Sequence, residues 1–180
     1  MLSRREKVLY AKFNTPVDVS DRYIFVGDDK QTVPDKKGNL ITLAEHKKLY
    51  PYYLKHDVEV EIATTVRTIK FTIKKGYVWN GADIPRILWV SIGSQHNPEF
   101  KRASLVHDYM LEYKWDLYVP PLSNEITIAE YRRLTSLGFR QFCKNDGVPT
   151  VKANVMSWFV QVFQTTVNRR EWKPEEQHED

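Results

Sequence analysis

The sequence predicts an α+β protein in which an antiparallel sheet from the N-terminal half packs against a C-terminal helical bundle. Apolar side chains alternate with a two-residue period before Gly76, helical spacing replaces that period after it, and strong helix starts mark the last third. Strands that precede helices as a block are typical of this class. With 180 residues and 42% hydrophobic content, the chain suits a single domain over residues 1–172, followed by a flexible acidic tail at 173–180.

Short strands and turns are predicted first along the chain. The stretch RYIFVGDD at 22–29 has the apolar run and turn residues of a strand, and PDKKGNL at 34–40 has those of a hairpin connection. TLAEHKKLYPYYL at 42–54 favours one short helix. That helix is expected to end before Pro51, because the residue preceding a proline is biased away from helical geometry.

The centre of the sheet is predicted from two alternating stretches. In TIKFTIKK the apolar residues Ile69, Phe71 and Ile73 alternate with polar ones, so a two-residue period places them on one face. DVEVEIA alternates in the same way from Val58 to Ile62. The short link TTVR favours an antiparallel pair with one face in the core and the other in water.

Helical spacing begins after Gly76. Pro85 suits the first turn of a helix that continues through RILWVSIG to Gly93. The next helix contains LVHDYMLEY at 105–113. Its apolar stripe is expected to consist of Phe100, Ala103, Val106, Met110 and Tyr113.

Two longer helices complete the predicted bundle. DLYVPPLSNEI at 116–126 is expected to be a loop, because its adjacent prolines cannot sustain a helix or a central strand. Thr127 and Glu130 have capping-box spacing at the start of a helix that runs to about Lys144. The last helix begins near Pro149. Its wide apolar face is expected to consist of Val151, Val155, Trp158, Phe159, Val162 and Phe163.

Composition excludes several classes of protein. Cys143 is the only cysteine, so neither an intrachain disulfide nor a multi-cysteine zinc site is expected. No apolar run approaches the roughly 18 residues of a membrane span, and MLSRREKVLYAKF lacks the apolar core of a signal peptide. We therefore expect no membrane insertion. The formal net charge of +4 permits a nucleic-acid partner without indicating one.

The stretch WNGADIP at 79–85 is the first candidate binding site. Its Asn-Gly pair predicts a tight turn, and the N–H groups of a helix beginning at Pro85 could bind an anion. The alternative is a purely structural turn in which Asp83 caps that helix. The residues expected to bind are Trp79, Asn80, Gly81, Asp83, Arg86 and, on the next helix, Tyr109.

The stretch VHDY is the candidate catalytic site. His107 and Asp108 project about 100° apart on a helix, so they converge on one substrate or one divalent metal only where the helix borders a cleft. No resident cofactor is otherwise expected. The alternative is that His107 is a buried structural donor. Glu130 is the third candidate catalytic residue, although its capping-box position already accounts for it.

Other site types are poorly matched. The sequence has no phosphate-cradling glycine loop, no paired-histidine zinc helix and no serine in a nucleophile elbow. EYKWDLY and KKLYPYYLKH interleave aromatic and basic residues that could stack on nucleic-acid bases. They could equally cover the rim of an apolar core.

Three motifs, GYVWNGADIPRILW, ASLVHDYMLEY and IAEYRRLTSLGF, resemble in this order a family of unknown function common in bacteriophages and prophages, numbered DUF 1353. The resemblance covers about residues 57–165. Family members typically read D-G-A-S-I-P at the first motif and A-D at the third. This chain has Asn80 in place of the acid, Asp83 in place of a small hydroxyl residue and Glu130 in place of the aspartate. An amide is neither a general base nor an anionic metal ligand, so the resemblance implies weakened acid chemistry.

The resemblance implies a bacteriophage-encoded accessory or virion-associated protein with a binding or assembly role. Its expected partner is a phage structural protein or a host protein, and its expected location is the host cytoplasm during synthesis or the virion. The alternative is a hydrolase, metal-assisted or not, that uses His107 with Asp108 and Glu130 on an envelope, ester or amide substrate. A third expectation is an inhibitor of a host protein or of a nucleic-acid process. The sequence leaves the oligomeric state open.

Overall fold

The computed structural model describes residues 6–20, 28–81 and 98–166, and within them it has the predicted α+β order. The strands are β1 (Val8–Phe13), β2 (Val19–Ser20), β3 (Thr32–Pro34), β4 (Leu40–Thr42), β5 (Tyr52–Leu54), β6 (Val58–Thr64), β7 (Thr68–Ile73) and β8 (Val78–Trp79). The helices are α1 (Leu43–Leu49), α2 (Pro98–Glu112), α3 (Lys114–Leu117), α4 (Leu122–Glu125), α5 (Ile128–Asn145) and α6 (Thr150–Thr166). The strand expected at 22–29 falls mainly, and the helix expected at 85–93 entirely, outside the described residues.

Strand β6 is the centre of an antiparallel three-stranded sheet with the order β1-β6-β7. The register pairs Ile62 with Ile69 and Val58 with Ile73, so the two alternating stretches form the predicted pair. Val58, Val60 and Ile62 are buried beneath the helices. The apolar alternation therefore predicted both the strands and the face that enters the core.

The other face of β6 carries a polar network that the sequence pattern had assigned simply to water. Glu61 is buried there and accepts a hydrogen bond of 2.5 Å from the Tyr10 hydroxyl. Its carboxylate also lies 3.1 Å from the Lys70 ammonium and within reach of Lys12. The Tyr10 hydroxyl and the two ammonium groups hold the pKa of Glu61 at about 2.

Two smaller sheets lie beside the main one. Strands β2, β5 and β8 form one of them, and β3 and β4 form a hairpin whose turn is the predicted PDKKGNL connection. Helix α1 follows the hairpin and ends before Pro51, as predicted. It begins with a capping box between Thr42 and Glu45, which satisfies N–H groups that the first turn leaves without partners.

The helical bundle packs on the main sheet through α5. Gly138 on α5 lies so close to β6 that a Cβ atom there would be 3.2 Å from Ile62 Cδ1. Phe142 packs against Phe13 of β1 with 4.6 Å between ring centroids. Helices α2 and α6 pack against α5, so α5 is the central helix of the bundle.

The expectation of a loop at 116–126 is wrong in part. Single helical turns, α3 and α4, lie on either side of Pro120 and Pro121. Pro121 is the N-cap of α4, a place where the missing N–H of a proline costs nothing. The prolines thus separate two helical turns instead of excluding helix from the whole segment.

The apolar face expected on the last helix is also wrong in part. Val151, Val155 and Trp158 are exposed. The buried residues of α6 are Ala153, Met156, Ser157, Val160 and Gln164. Small Ala153 and Ser157 permit close packing on α5, and the Ser157 hydroxyl donates to the Ser136 carbonyl at 2.8 Å. None of the helices in the described ranges is long and apolar enough to cross a membrane.

Candidate functional site

His107 lies inside the bundle, where α2, α5 and α6 meet. Its ring is 6% exposed and packs edge-to-face on Phe139 of α5, with 5.6 Å between centroids. Its Nδ1 is 3.3 Å from Asp108 Oδ1, and its Nε2 is 2.5 Å from Gln164 Nε2 of α6. A neutral imidazole fits both contacts, because Nδ1–H can donate to the carboxylate while Nε2 accepts from the amide.

This arrangement uses both ring nitrogens of His107 within the fold. A general base needs an unshared electron pair directed at a substrate, and a metal ligand needs one directed at the ion. The Nε2 electron pair faces the amide of Gln164 instead. Among the residues that the structure describes, no group of three His, Cys, Asp or Glu side chains is placed to hold a metal ion.

Asp108 follows His107 on α2 and has a somewhat more exposed side chain. Its side chain is largely buried, and its charge acts on the phenol of Tyr77. Burial is the main cause that raises the pKa of Tyr77, and the charges of Asp108 and Glu112 raise it further. Asp108 therefore lies between His107, which the bundle encloses, and Tyr77.

Glu130 caps helix α5 and is not brought to His107. Its carboxylate accepts the Thr127 N–H at 2.8 Å, while the Thr127 hydroxyl accepts the Glu130 N–H at 3.2 Å. The Thr127 N–H and the Thr127 hydroxyl both donate to this carboxylate and lower the pKa of Glu130. Phe139, which touches His107, is nine residues further along α5, or about 13 Å at the rise of an α-helix. The capping interpretation accounts for Glu130 fully.

Strand β8 meets helix α2 at Trp79. The indole is fully buried, and its Nε1–H donates to Ser104 Oγ at 3.2 Å, one turn before His107 on α2. Asn80 is exposed, and Gly81 has a φ of 97°, the left-handed backbone conformation that favours glycine. Asp83 and Arg86 lie outside the described residues. The predicted junction of sheet and helix is thus present for Trp79.

An open cleft lies on the side of α2 away from His107. Its volume is about 470 Å³, and its lining consists of Lys36, Lys74, Lys75, Gly76, Tyr77, Val78, Tyr109, Glu112 and Tyr113. We call it the tyrosine cleft. Tyr109 stacks on Phe71 with 5.7 Å between ring centroids. The centroids of Tyr109 and Tyr113 are 4.5 Å apart. Tyr77 donates its hydroxyl to Glu112 Oε2 at 2.9 Å.

The tyrosine cleft contains an ammonium group of the chain itself. Lys36 reaches in from the β3–β4 turn and forms an ion pair with Glu112. Its Nζ lies 4.3 Å from the centroid of Tyr77 and 5.4 Å from that of Tyr50. Rings and a carboxylate around one cation are a cation–π site. The cleft therefore already holds one positive group of the chain itself.

The sequence analysis did not predict this cleft, although it singled out some of its residues for other sites. Tyr109 was among the expected binding residues, and Glu112, Tyr113 and Tyr50 lie in the two stretches that interleave aromatic and basic residues. The spacing of Tyr109 and Tyr113 on a helix could have indicated a shared face. Nothing local to Lys36 indicates its place, because 76 residues separate it from Glu112.

Comparison with known proteins gives one family. The model of the family described as "Protein of unknown function (DUF1353)" matches residues 53–160. No curated protein and no solved structure matches the chain. The matched range contains the Trp79 turn, His107 and the start of α5, whereas the hairpin that carries Lys36 precedes it.

Proposed function

The chain belongs to the DUF1353 family, and we propose that it is a binding or assembly protein and not a hydrolase. The proposed role is that of a phage accessory or virion-associated protein with a phage structural or host protein as partner, and the phage setting that the resemblance implies supports it. The observation that carries the proposal is the position of His107, whose two ring nitrogens face Asp108 and Gln164 inside the fold. On its open side, the same helix α2 contributes the aromatic ring of Tyr109 to the tyrosine cleft.

The remaining candidates for hydrolytic chemistry support the same proposal. Glu130 is engaged with Thr127 and lies several helical turns from Phe139, the residue that touches His107. Asn80 carries an amide at the place of the acid that is typical of the family. General acid–base catalysis needs groups within about 3 Å of one reacting atom, and the capping contacts of Glu130 do not bring it to His107.

The decisive experiment compares Glu130→Gln with the wild-type protein. Glutamine keeps the capping hydrogen bonds but cannot transfer a proton, so partner binding and stability are expected to stay unchanged. Binding is measured by co-migration with purified virions or with an isolated partner. Glu45→Gln is the matched control, because Glu45 has the same capping role on α1.

The wild-type protein and both variants are also assayed for hydrolysis of peptidoglycan and ester substrates and for bound divalent metal. No turnover and no stoichiometric metal are expected. Hydrolysis that falls by about a hundredfold or more in Glu130→Gln, and not in Glu45→Gln, would overturn the proposal in favour of the hydrolase. Salt-dependent binding to DNA would instead favour the nucleic-acid process.

A further inference from the structure

The strongest unassigned feature is the position of Lys36 in the tyrosine cleft. Its side chain is 23% exposed, although it belongs to a hairpin turn at the surface. The ammonium pairs with Glu112 and lies over the ring of Tyr77. A flexible lysine loses conformational freedom when it is held in this way, so the cleft must offset that loss through its rings and its carboxylate.

Two further lysines, Lys74 and Lys75, line the cleft, and the carboxylate of Asp57 lies beside both of them. Lys74 forms an ion pair of 2.9 Å with Asp57, and the backbone N–H of Lys75 donates to the same carboxylate at 2.8 Å. Inside the cleft, Glu112 accepts the Tyr77 hydroxyl. Carboxylates near the cleft also act on its phenols. Burial is the main cause that raises the pKa of Tyr109 and Tyr113, and the charges of Glu112 and Asp116 raise it further.

A phosphate group would fit the charges of the cleft less well than an ammonium group. Lys36 already has Glu112 as its partner, and Lys74 has Asp57. An anion that entered the cleft would have to displace a carboxylate or approach it closely, which is unfavourable. An ammonium group in the place of Lys36 would keep every contact. The position of the Lys36 ammonium between Glu112 and the ring of Tyr77 therefore indicates an organic cation.

The hairpin that supplies Lys36 is a small unit. Within the described residues, β3 and β4 pair with each other and pack mainly on α1. The Asp35 carboxylate holds the turn by accepting the N–H groups of Lys37 and Asn39, both at 2.8 Å. These bonds do not involve the cleft. Lys36 can thus leave the cleft without breaking the hydrogen bonds of its own turn.

We propose that the tyrosine cleft is an ammonium-binding site, occupied by Lys36 in the isolated protein and by a lysine side chain of the partner protein in the complex. Glu112 supplies the negative charge and Tyr77 the ring face. Tyr109 and Tyr113 form the walls that receive the aliphatic stem. This inference rests on the proposed binding role and identifies the group on the partner that the site recognises.

The test uses the full chain and a small probe, Nα-acetyl-lysine N-methylamide, which carries one free ammonium group. Its neutral counterpart is Nα-acetyl-norleucine N-methylamide, which keeps most of the stem and lacks the ammonium group. Binding is followed by NMR through the ring signals of Tyr77 and Tyr113. Lys36→Met removes the internal ammonium but keeps an apolar stem, and Lys37→Met is the matched control on the same turn.

Lys36→Met is expected to bind the lysine probe at least about tenfold more tightly than the wild-type protein, because the internal competitor is gone. Lys37→Met should behave as wild type, and the norleucine probe should not bind. Adding Glu112→Gln to Lys36→Met should abolish the gain. Lys36→Ala serves as a second variant with the same expectation if the methionine itself fills the cleft.

The proposal is overturned if neither Lys36 variant binds the lysine probe more tightly than wild type. It is equally overturned if norleucine binds as well as lysine, since the cleft would then recognise only an apolar stem. Neither result would change co-migration with the partner, so each would overturn this inference without overturning the proposed binding role. Conversely, Glu130-dependent hydrolysis would end the proposed binding role without changing the lysine titration.

Discussion

Helix α2 carries two polar regions that face opposite ways. His107 points into the bundle, where Gln164 of α6 and Phe139 of α5 close over it. Tyr109 and Glu112 point towards the tyrosine cleft, which solvent reaches and which Lys36 fills only from the side. Two to five residues separate these side chains in the sequence, and that spacing turns them to opposite sides of a helix.

The difference shows what decides the role of a polar side chain on a helix. The bundle side of α2 is covered by two long helices, so a polar group there must satisfy its hydrogen bonds permanently. The cleft side packs on β7 through Tyr109 but stays open beside Glu112, where Lys36 enters from the hairpin, so Glu112 can exchange its cationic partner. We therefore expect the closed region to govern stability and the open region to govern binding.

His107→Ala should give the largest loss of stability. The change removes a buried ring and leaves the Gln164 amide without its partner, so the free energy of unfolding should fall by about 2–4 kcal/mol. Urea unfolding followed by circular dichroism measures it. His56→Ala is the control, because His56 is a well-exposed side chain, and it should change stability by less than about 0.5 kcal/mol. Equal effects in the two variants would contradict the buried structural role.

Tyr77→Phe should change how stability depends on alkaline pH. The pKa of Tyr77 is raised by burial and by Asp108 and Glu112, so the native phenol keeps its proton where the unfolded one loses it, above about pH 10. Stability supplied by this group is complete below that pH and is lost as the pH rises. In this pH range the free energy of unfolding of Tyr77→Phe should fall by up to about 1.4 kcal/mol per pH unit less than that of the wild-type protein. Urea unfolding between about pH 9 and about pH 11 tests this, and identical slopes would show that Tyr77 ionises normally.

The elements that sequence predicted well are those whose signal is local. The alternation from Val58 to Ile62 specifies one face of a strand, and the spacing of Thr127 and Glu130 specifies one helix start. The buried side of α6 was missed because this helix has two apolar stripes. Packing on α5 selects the stripe with Ala153 and leaves Trp158 exposed, and only the tertiary fold contains that choice.

The sequence indicated several residues of the candidate site, but it did not indicate the contacts between them. The motif VHDY indicated His107, but its partner Gln164 is 57 residues away in a helix expected to be apolar. Lys36 and Glu112 are likewise distant in the chain. The mutual arrangement of polar groups depends on which elements pack together, whereas the choice between cap and catalyst for Glu130 could be argued from spacing alone.

Gln164→Leu should weaken the closed region less than removal of the ring. The change takes away the donor to His107 Nε2, but it also removes Gln164 Oε1, a buried atom with no hydrogen-bond partner within the described structure. The two effects oppose each other, so the expected loss is about 1 kcal/mol. The double variant with His107→Ala should be less destabilised than the sum of the single ones, as measured by urea unfolding. Additive losses would mean that the two side chains do not interact.

Tyr113→Ala should give the smallest change in stability and the clearest change in binding. Tyr113 is 37% exposed, and its ring contacts Tyr109 and Tyr77 at the edge of the cleft. Loss of a partly solvated aromatic contact should cost about 0.5 kcal/mol. In the Lys36→Met background, the same change should weaken binding of the lysine probe severalfold, because the wall for its stem is gone. A large loss of stability with unchanged binding would reverse the assignment of the two sides of α2.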